Sequence, residues 1–298
     1  MLKQHMSKPQ NRHRLWVKSF AATAGLLLSA GVMATTPPGG GDGFSNLYSR
    51  AASDGACTVT RTSVGGSTFY VPRDRNNSSA KFNILVWGNG TGGTSSTYRS
   101  MLETVASQCI LVAAANTSNA GTGAEMETAL NSARSRYSSI IAPNARVCTS
   151  GHSQGGGGSF NAANRFNADC VIPVQPDTRF TTQIYSRLAN RVEVITLWSS
   201  ADTLAPASGN RRNVENASTI LTQVETAGES HFAPTGSRGG NIGTMLRMAS
   251  IAQLSNDPAL RSEFRQAFFG PTTAYTASTS HSDLSDVRRN AAAVNTAP

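Results

Sequence analysis

Gly151-His152-Ser153-Gln154-Gly155 is a G-x-S-x-G pentapeptide set between a strand-like run, Ala145 to Ser150, and a helix-like run, Gly156 to Phe166. A sharp turn from strand to helix holds the central serine in a strained conformation with its hydroxyl exposed above the sheet. Glycines must flank it, because a β-carbon there would collide with the neighbouring strand or helix. Ser153 is therefore the candidate nucleophile. A pattern this short also arises by chance, and a glycine-rich surface loop explains it equally well. What separates the two readings is whether an acid and then a histidine follow in chain order.

A serine hydroxyl attacks only when a base takes its proton, so an imidazole must come within hydrogen-bond reach. Beyond the N-terminal leader the chain offers His152, His231 and His281. His152 adjoins Ser153 but leaves the turn in another direction, which suits it to shaping a substrate pocket. His281 lies in a polar terminal stretch. His231, in Gly228-Glu229-Ser230-His231-Phe232-Ala233-Pro234, follows the last strand-like run and is the expected base. The base in turn needs a carboxylate that fixes its tautomer and stabilises the imidazolium.

Between Ser153 and His231 the aspartates are Asp169, Asp177 and Asp202. Asp169 precedes a strand, at the wrong edge of a parallel sheet, whose ligands gather at the carboxyl ends of the strands. Asp202 follows the strand that ends at Trp198 and takes the role. Asp177 also follows a strand and is the second choice, with a place in the substrate pocket as its other reading. A tetrahedral intermediate needs two hydrogen-bond donors. The main-chain N–H of Gln154 supplies one, and Gly90 supplies the other from the loop Gly88-Asn89-Gly90-Thr91-Gly92-Gly93, with Thr91 beside the substrate. That loop lacks the lysine and spacing of a P-loop, which counts against a phosphate cradle.

Residues 1–34 carry Lys3, Lys8, Arg12, Arg14 and Lys18, then an apolar core from Phe20 to Leu28 and small residues to Ala34. This order predicts a secretory signal peptide cut after Ala34, with an apolar run too short to span a bilayer comfortably. The expected product is secreted or periplasmic and makes no stable membrane insertion. With five of the 26 basic residues and none of the 17 acidic ones ahead of Ala34, net charge falls from +9 to +4. That mild excess, without a basic cluster interleaved with aromatics, argues against a nucleic-acid partner. Cys57, Cys109, Cys148 and Cys170 allow two disulfides in an oxidising compartment, with three possible connectivities. Cys148 and Cys170 fall in consecutive strand-like runs and can bridge if those strands are neighbours; isolated buried thiols are the alternative. No cysteine pair has the spacing of a zinc site, so neither metal nor cofactor is expected.

The elements that must position these groups alternate along the chain. Thr58–Thr62 and Ser67–Pro72 read as an antiparallel pair around Gly65-Gly66, and Phe82–Trp87, Ile110–Ala115, Val171–Val174 and Val192–Trp198 as buried strands. Helical patterns cover Met101–Ser107, Ala124–Tyr137, Thr182–Leu188 and Asn241–Gln253, and Leu221–Glu225 reads as the last strand. Continuous apolar strands alternating with helices predict an α/β domain, a mostly parallel central sheet covered on both faces. It is expected over residues 44–275, after a flexible leader at 35–43 and before a loosely packed polar tail at 276–298.

Three segments carry a resemblance: Gly151-His152-Ser153-Gln154-Gly155-Gly156-Gly157-Gly158, Asp202-Thr203-Leu204-Ala205-Pro206 and Ser230-His231-Phe232-Ala233-Pro234. From about Cys57 to Gly270 the chain resembles the bacterial secreted cutinase and polyester-hydrolase family of the α/β-hydrolase superfamily. The resemblance implies a Ser153–His231–Asp202 triad that hydrolyses carboxylic esters without a cofactor. Departures concern the substrate. Gln154 stands where the family has methionine, Gly90 where its oxyanion loop usually offers an aromatic, and Asp177 near the place of a further aromatic. Losing those rings should weaken stacking on a flat acyl unit. The family's terminal disulfide is also missing. The expected protein is a monomeric serine esterase on small or polymeric esters. Lipase, polyhydroxyalkanoate depolymerase and a non-catalytic binding protein on the same scaffold are the alternatives.

Overall fold

The apolar runs of the sequence become strands with no exposed face. In the computed structural model, which describes residues 42–181, 183, 188, 190–215, 219–271 and 282–298, β3 (Ile84–Gly88), β4 (Leu111–Ala115), β5 (Val147–His152) and β6 (Cys170–Val174) are buried at every residue. Burial of both strand faces is the mark of a parallel sheet sandwiched between helices. β7 (Glu193–Ser199) and β8 (Ile220–Thr226) continue it. β1 (Cys57–Val64) and β2 (Ser67–Asp74) form the predicted hairpin, turning at Gly65 and Gly66, both with positive φ as a tight two-residue turn requires.

Among the described residues the sheet has nine strands in the order β1-β2-β4-β3-β5-β6-β7-β8-β9. The β4-β3-β5-β6-β7-β8 stretch is parallel, while β2 joins β4 antiparallel. Helices α1 (Asp42–Ala52), α2 (Arg99–Ser107) and α6 (Gly240–Leu254) pack on one face with Met101, Leu102, Met245 and Leu246. The other face takes α3 (Ala124–Arg136), α4 (Gln154–Phe166) and α5 (Ala207–Glu215), through Met126 and Leu130 and through Phe160 and Val214. α7 (Pro258–Arg265) follows α6. This is the α/β-hydrolase arrangement that the sequence predicts.

Arg247, inside α6, is fully buried, and its guanidinium donates to neutral oxygens of Ala51, Thr104, Arg238 and Thr244. Burial lowers its pKa to about 10. It ties α1, α2 and the turn before α6 together.

Both disulfides form. Cys57 joins Cys109, and Cys148 joins Cys170, its register partner on the neighbouring parallel strand. The polar stretch expected as a loose tail behaves differently. β9 (Leu284–Arg289) pairs antiparallel with β8, α8 (Ala291–Asn295) follows, and Leu284 and Ala293 are buried. Leu221–Glu225 is thus not the last strand. Backbone pairing and a few buried contacts outweigh the polar composition there. The expected signal peptide, His281 and most of the Thr182–Leu188 helix lie outside the described residues.

Candidate active site

Ser153 sits between the carboxyl end of β5 and the first turn of α4 at φ 54° and ψ −117°, a conformation that strains any residue with a β-carbon. The strain persists because the surrounding backbone is closely packed. A β-carbon on Gly151 would lie 2.4 Å from Gly155 O, and one on Gly155 would lie 2.2 Å from Gly88 O. One on Gly158 would come 1.9 Å from Ala120 O. The glycines therefore let α4 touch β3 and β5 backbone to backbone. Gln154 opens α4, where a main-chain N–H lacks an intrahelical acceptor.

At the carboxyl ends of β7 and β8 the chain brings the acid and the imidazole together. His231 Nδ1 lies 2.8 Å from Asp202 Oδ2, both residues buried. The second carboxylate oxygen accepts the N–H groups of Leu204 and Ala205, each at 2.9 Å. Burial raises the carboxyl pKa, but the donors from His231, Ala205 and Leu204 outweigh it and hold Asp202 below the usual aspartate range. An ionised Asp202 fixes the proton on Nδ1 and leaves Nε2 as the basic nitrogen.

The other two aspartates have different work. Asp169 clasps the start of β5, its carboxylate accepting Val147 N–H at 2.8 Å. Asp177 accepts the N–H groups of Arg179 and Phe180, each at 3.0 Å, and donates its own N–H to Ser153 O at 2.9 Å. It supports the elbow and lines the pocket.

The histidine loop is pinned from several directions. Gln175, at the end of β6, donates to Ser230 O at 3.0 Å, and Ser199 Oγ donates to Glu229 O. The Glu229 carboxylate accepts the N–H groups of Asn241 and Ile242 at 2.6 and 2.7 Å, capping α6. Burial, with help from Asp283, still raises its pKa.

A cavity of about 510 Å³ opens over these strand ends and is lined by Ser153, His231, His152, Gly90, Thr91 and Asp177. Its lining also includes Phe180, Leu204 and Phe232, the large apolar side chains that stand out in solvent among the described residues. Phe232 belongs to the histidine motif; Phe180, in a polar loop, gave no periodic signal. The expected loss of aromatic walls is thus partly offset by two rings at the mouth.

The Gly90 N–H expected to face the substrate is engaged within the protein: it donates to Tyr98 Oη at 3.1 Å. Tyr98 Oη also lies 2.9 Å from His152 Nδ1, and His152 packs on His231 with ring centroids 4.5 Å apart. Burial and the facing His231 push the His152 imidazole down to about 3, so it is neutral at ordinary pH. Tyr98 was not singled out in the sequence, since an isolated aromatic eight residues beyond Gly90 has no motif of its own.

Gly88 to Gly93 also fits the letters G-x-G-x-x-G, but the run turns on itself through Gly93 N–H to Gly90 O and reaches α2 only at Arg99. A dinucleotide site needs the helix to open at the glycines. Among the described residues the His, Cys, Asp and Glu side chains grouped within metal-ligand reach are Cys57, Asp74 and Cys109, and the two sulfurs are joined in a disulfide. No helix of the described residues is long and apolar enough to cross a membrane.

No protein-family model matches the chain. Among curated proteins it is similar to Cutinase 1 of Thermobifida cellulosilytica, with 27% identity over 188 residues, 59% of this chain and 69% of that one. It is 26% identical over 188 residues to the cutinase of Thermobifida fusca strain YX, covering 59% of this chain and 60% of the relative. Cutinase 2 of T. cellulosilytica is 28% identical over 183 residues, 57% and 66% of the two chains.

Proposed function

We propose that this chain, a family-level relative of the bacterial cutinases, is a carboxylic-ester hydrolase that works through a serine acyl-enzyme. The observation that carries the reading is the buried Asp202–His231 pair at the strand ends, whose imidazole lines one cavity with the strained Ser153. A glycine-rich surface loop has no use for any of these three features.

In this reading Ser153 Oγ attacks the ester carbonyl while His231 Nε2 takes its proton. His231 returns that proton to the departing alcohol, and water activated by the same nitrogen releases the acid. Asp202 holds the imidazole and stabilises its charged form. The Gln154 N–H faces the developing oxyanion from the start of α4. The rim of Phe180, Leu204 and Phe232 suits an apolar acyl chain or a polyester segment laid across the mouth. The protein acts as an exported monomer, its leader removed after Ala34.

Hydrolysis of p-nitrophenyl esters by wild type and Ser153→Ala tests the assignment. The variant should lose about 10⁶-fold in kcat, and a fluorophosphonate should label wild type at Ser153 with loss of activity. Undiminished hydrolysis by Ser153→Ala overturns the nucleophile. A chain-length series and release of soluble products from aliphatic and aromatic polyester films then define the substrate.

A further inference from the structure

We propose that His152 is a positioning residue for the base: its buried ring joins the loop after β3, through Tyr98, to the loop that carries His231, through Gln175. The inference rests on the serine-hydrolase reading above and gives His152 a part beyond lining the cavity.

The protons can be followed from bond to bond. Gly90 donates its N–H to Tyr98 Oη at 3.1 Å, and the same oxygen lies 2.9 Å from His152 Nδ1. Tyr98 has one proton to give, and Nδ1 receives it. His152 is neutral, because burial and the facing His231 lower its pKa to about 3, so its own proton sits on Nε2. That nitrogen is shut off from solvent and turns toward the main-chain oxygen of His231 and the side chain of Gln175. An N–H shared between two oxygens aligns fully with neither. Gln175 Oε1 is likewise buried and has no other donor among the described residues. At its far end the Gln175 amide donates to Ser230 O at 3.0 Å.

Two further features belong to the same arrangement. Gln175 is fully buried at a left-handed φ of 41°, a cost that a residue with a β-carbon bears only where the surrounding structure imposes it. The His152 ring also lies against that of His231, with centroids 4.5 Å apart. The base is thus held by its ring and its main chain, in addition to the Asp202 carboxylate 2.8 Å from Nδ1.

A buried polar chain in which each donor meets an acceptor rigidifies the groups it joins. A neutral ring also suits the reaction. When His231 takes the Ser153 proton it becomes a cation, and a charged neighbour 4.5 Å away would oppose that step.

His152→Phe keeps a flat ring over His231 and removes the bonds on both sides. Hydrolysis of a p-nitrophenyl ester series is measured with kcat counted per fluorophosphonate-labelled serine, so that unfolded molecules do not enter. We expect kcat to fall at least about threefold, by one factor at every acyl length, with KM changing by the smaller factor. A change carried mainly by KM, or one that grows with acyl length, means that His152 only walls the pocket and overturns the proposal. A kcat per labelled serine equal to wild type overturns it as well. Tyr98→Phe and Gln175→Met cut the chain on either side of His152 and serve in its place if His152→Phe does not fold. Each should lower kcat in the same way, and together they should lose less than the product of their separate factors, since one cut already breaks the chain. Full multiplication defeats the idea. The proton between His231 Nδ1 and Asp202 gives a downfield NMR signal that needs no turnover. It should exchange faster with water in Tyr98→Phe and Gln175→Met, and an unchanged exchange rate counts against the chain. Ser153→Ala runs in the same assay. Its survival condemns the esterase reading itself, while the NMR signal still judges the role of His152.

Discussion

Around Ser153 the backbone is positioned by what is absent. Gly151, Gly155 and Gly158 let strand and helix meet at distances no β-carbon would tolerate, and the strained serine has no room to relax. Around Asp202 and His231 the backbone is positioned by what is present. Leu204, Ala205 and His231 saturate one carboxylate, while Gln175, Ser199 and Glu229 hold the loop that carries the imidazole. Steric exclusion gives an elbow whose geometry is independent of pH and unforgiving of added atoms. Polar satisfaction gives loops that tolerate shape changes but answer to protonation. Each method holds at least one of the proposed catalytic groups, so the two halves of the site should fail in different ways.

The largest difference is expected from Asp202→Asn. The amide keeps the shape but favours the wrong imidazole tautomer, and kcat on a p-nitrophenyl ester should fall about 10⁴-fold. If Asp177→Asn alone abolishes turnover and Asp202→Asn is silent, the carboxylate has been misassigned.

Gly155→Ala attacks the other half. A methyl 2.2 Å from Gly88 O should cost at least about 3 kcal/mol of stability, equally at every pH, as read by denaturant midpoints. A fully stable variant would mean that the elbow is looser than its contacts indicate.

Acid titration sharpens the contrast next. Asp202 has a lowered pKa in the fold, so its stabilisation is complete above the ordinary aspartate pKa of about 4 and fades as pH falls through the lowered value. The midpoint gap between wild type and Asp202→Asn should close on acidification, and a gap constant from neutral to strongly acid pH would refute the linkage.

Glu229→Gln should be the mildest. Burial raises the Glu229 pKa, so its sign is reversed: the contribution is complete below the unfolded pKa and is lost as pH rises through the folded one. The amide should match wild type in acid and equal or slightly exceed it at neutral pH, by less than about 1 kcal/mol. A neutral-pH loss larger than that would show that the charged cap on α6 outweighs its burial.

The halves also differed in how far they could be read in advance. Ser153, Asp202 and His231 sit in short local patterns at strand ends, and the order of the patterns was enough to bring them to one edge of the sheet. Gly151 and Gly155 were legible as well, since close approach leaves glycine as the only choice. Tyr98 and Phe180 were not, because their importance comes from partners set by the tertiary fold: a main-chain N–H eight residues earlier and a cavity mouth. Gly90 shows the limit most clearly. Its place in the loop could be foreseen, but the destination of its N–H depends on a side chain that no spacing rule connects to it. β9 escaped notice because an edge strand facing solvent needs neither a continuous apolar run nor clean alternation.

That last strand has a consequence for the behaviour of the protein in concentrated solution. Without Leu284–Arg289, β8 would end the sheet as an open ladder of unpaired amides flanked by Leu221 and Val224, an invitation to pair with another molecule. With it, the boundary is a strand bearing Asp286, Arg288 and Arg289, with Arg288 paired to Asp286, and charged side chains along an edge discourage pairing with another strand. The residues that looked dispensable beside the chemistry thus cover the β8 ladder and give the sheet a charged border, an obstacle to edge-to-edge aggregation.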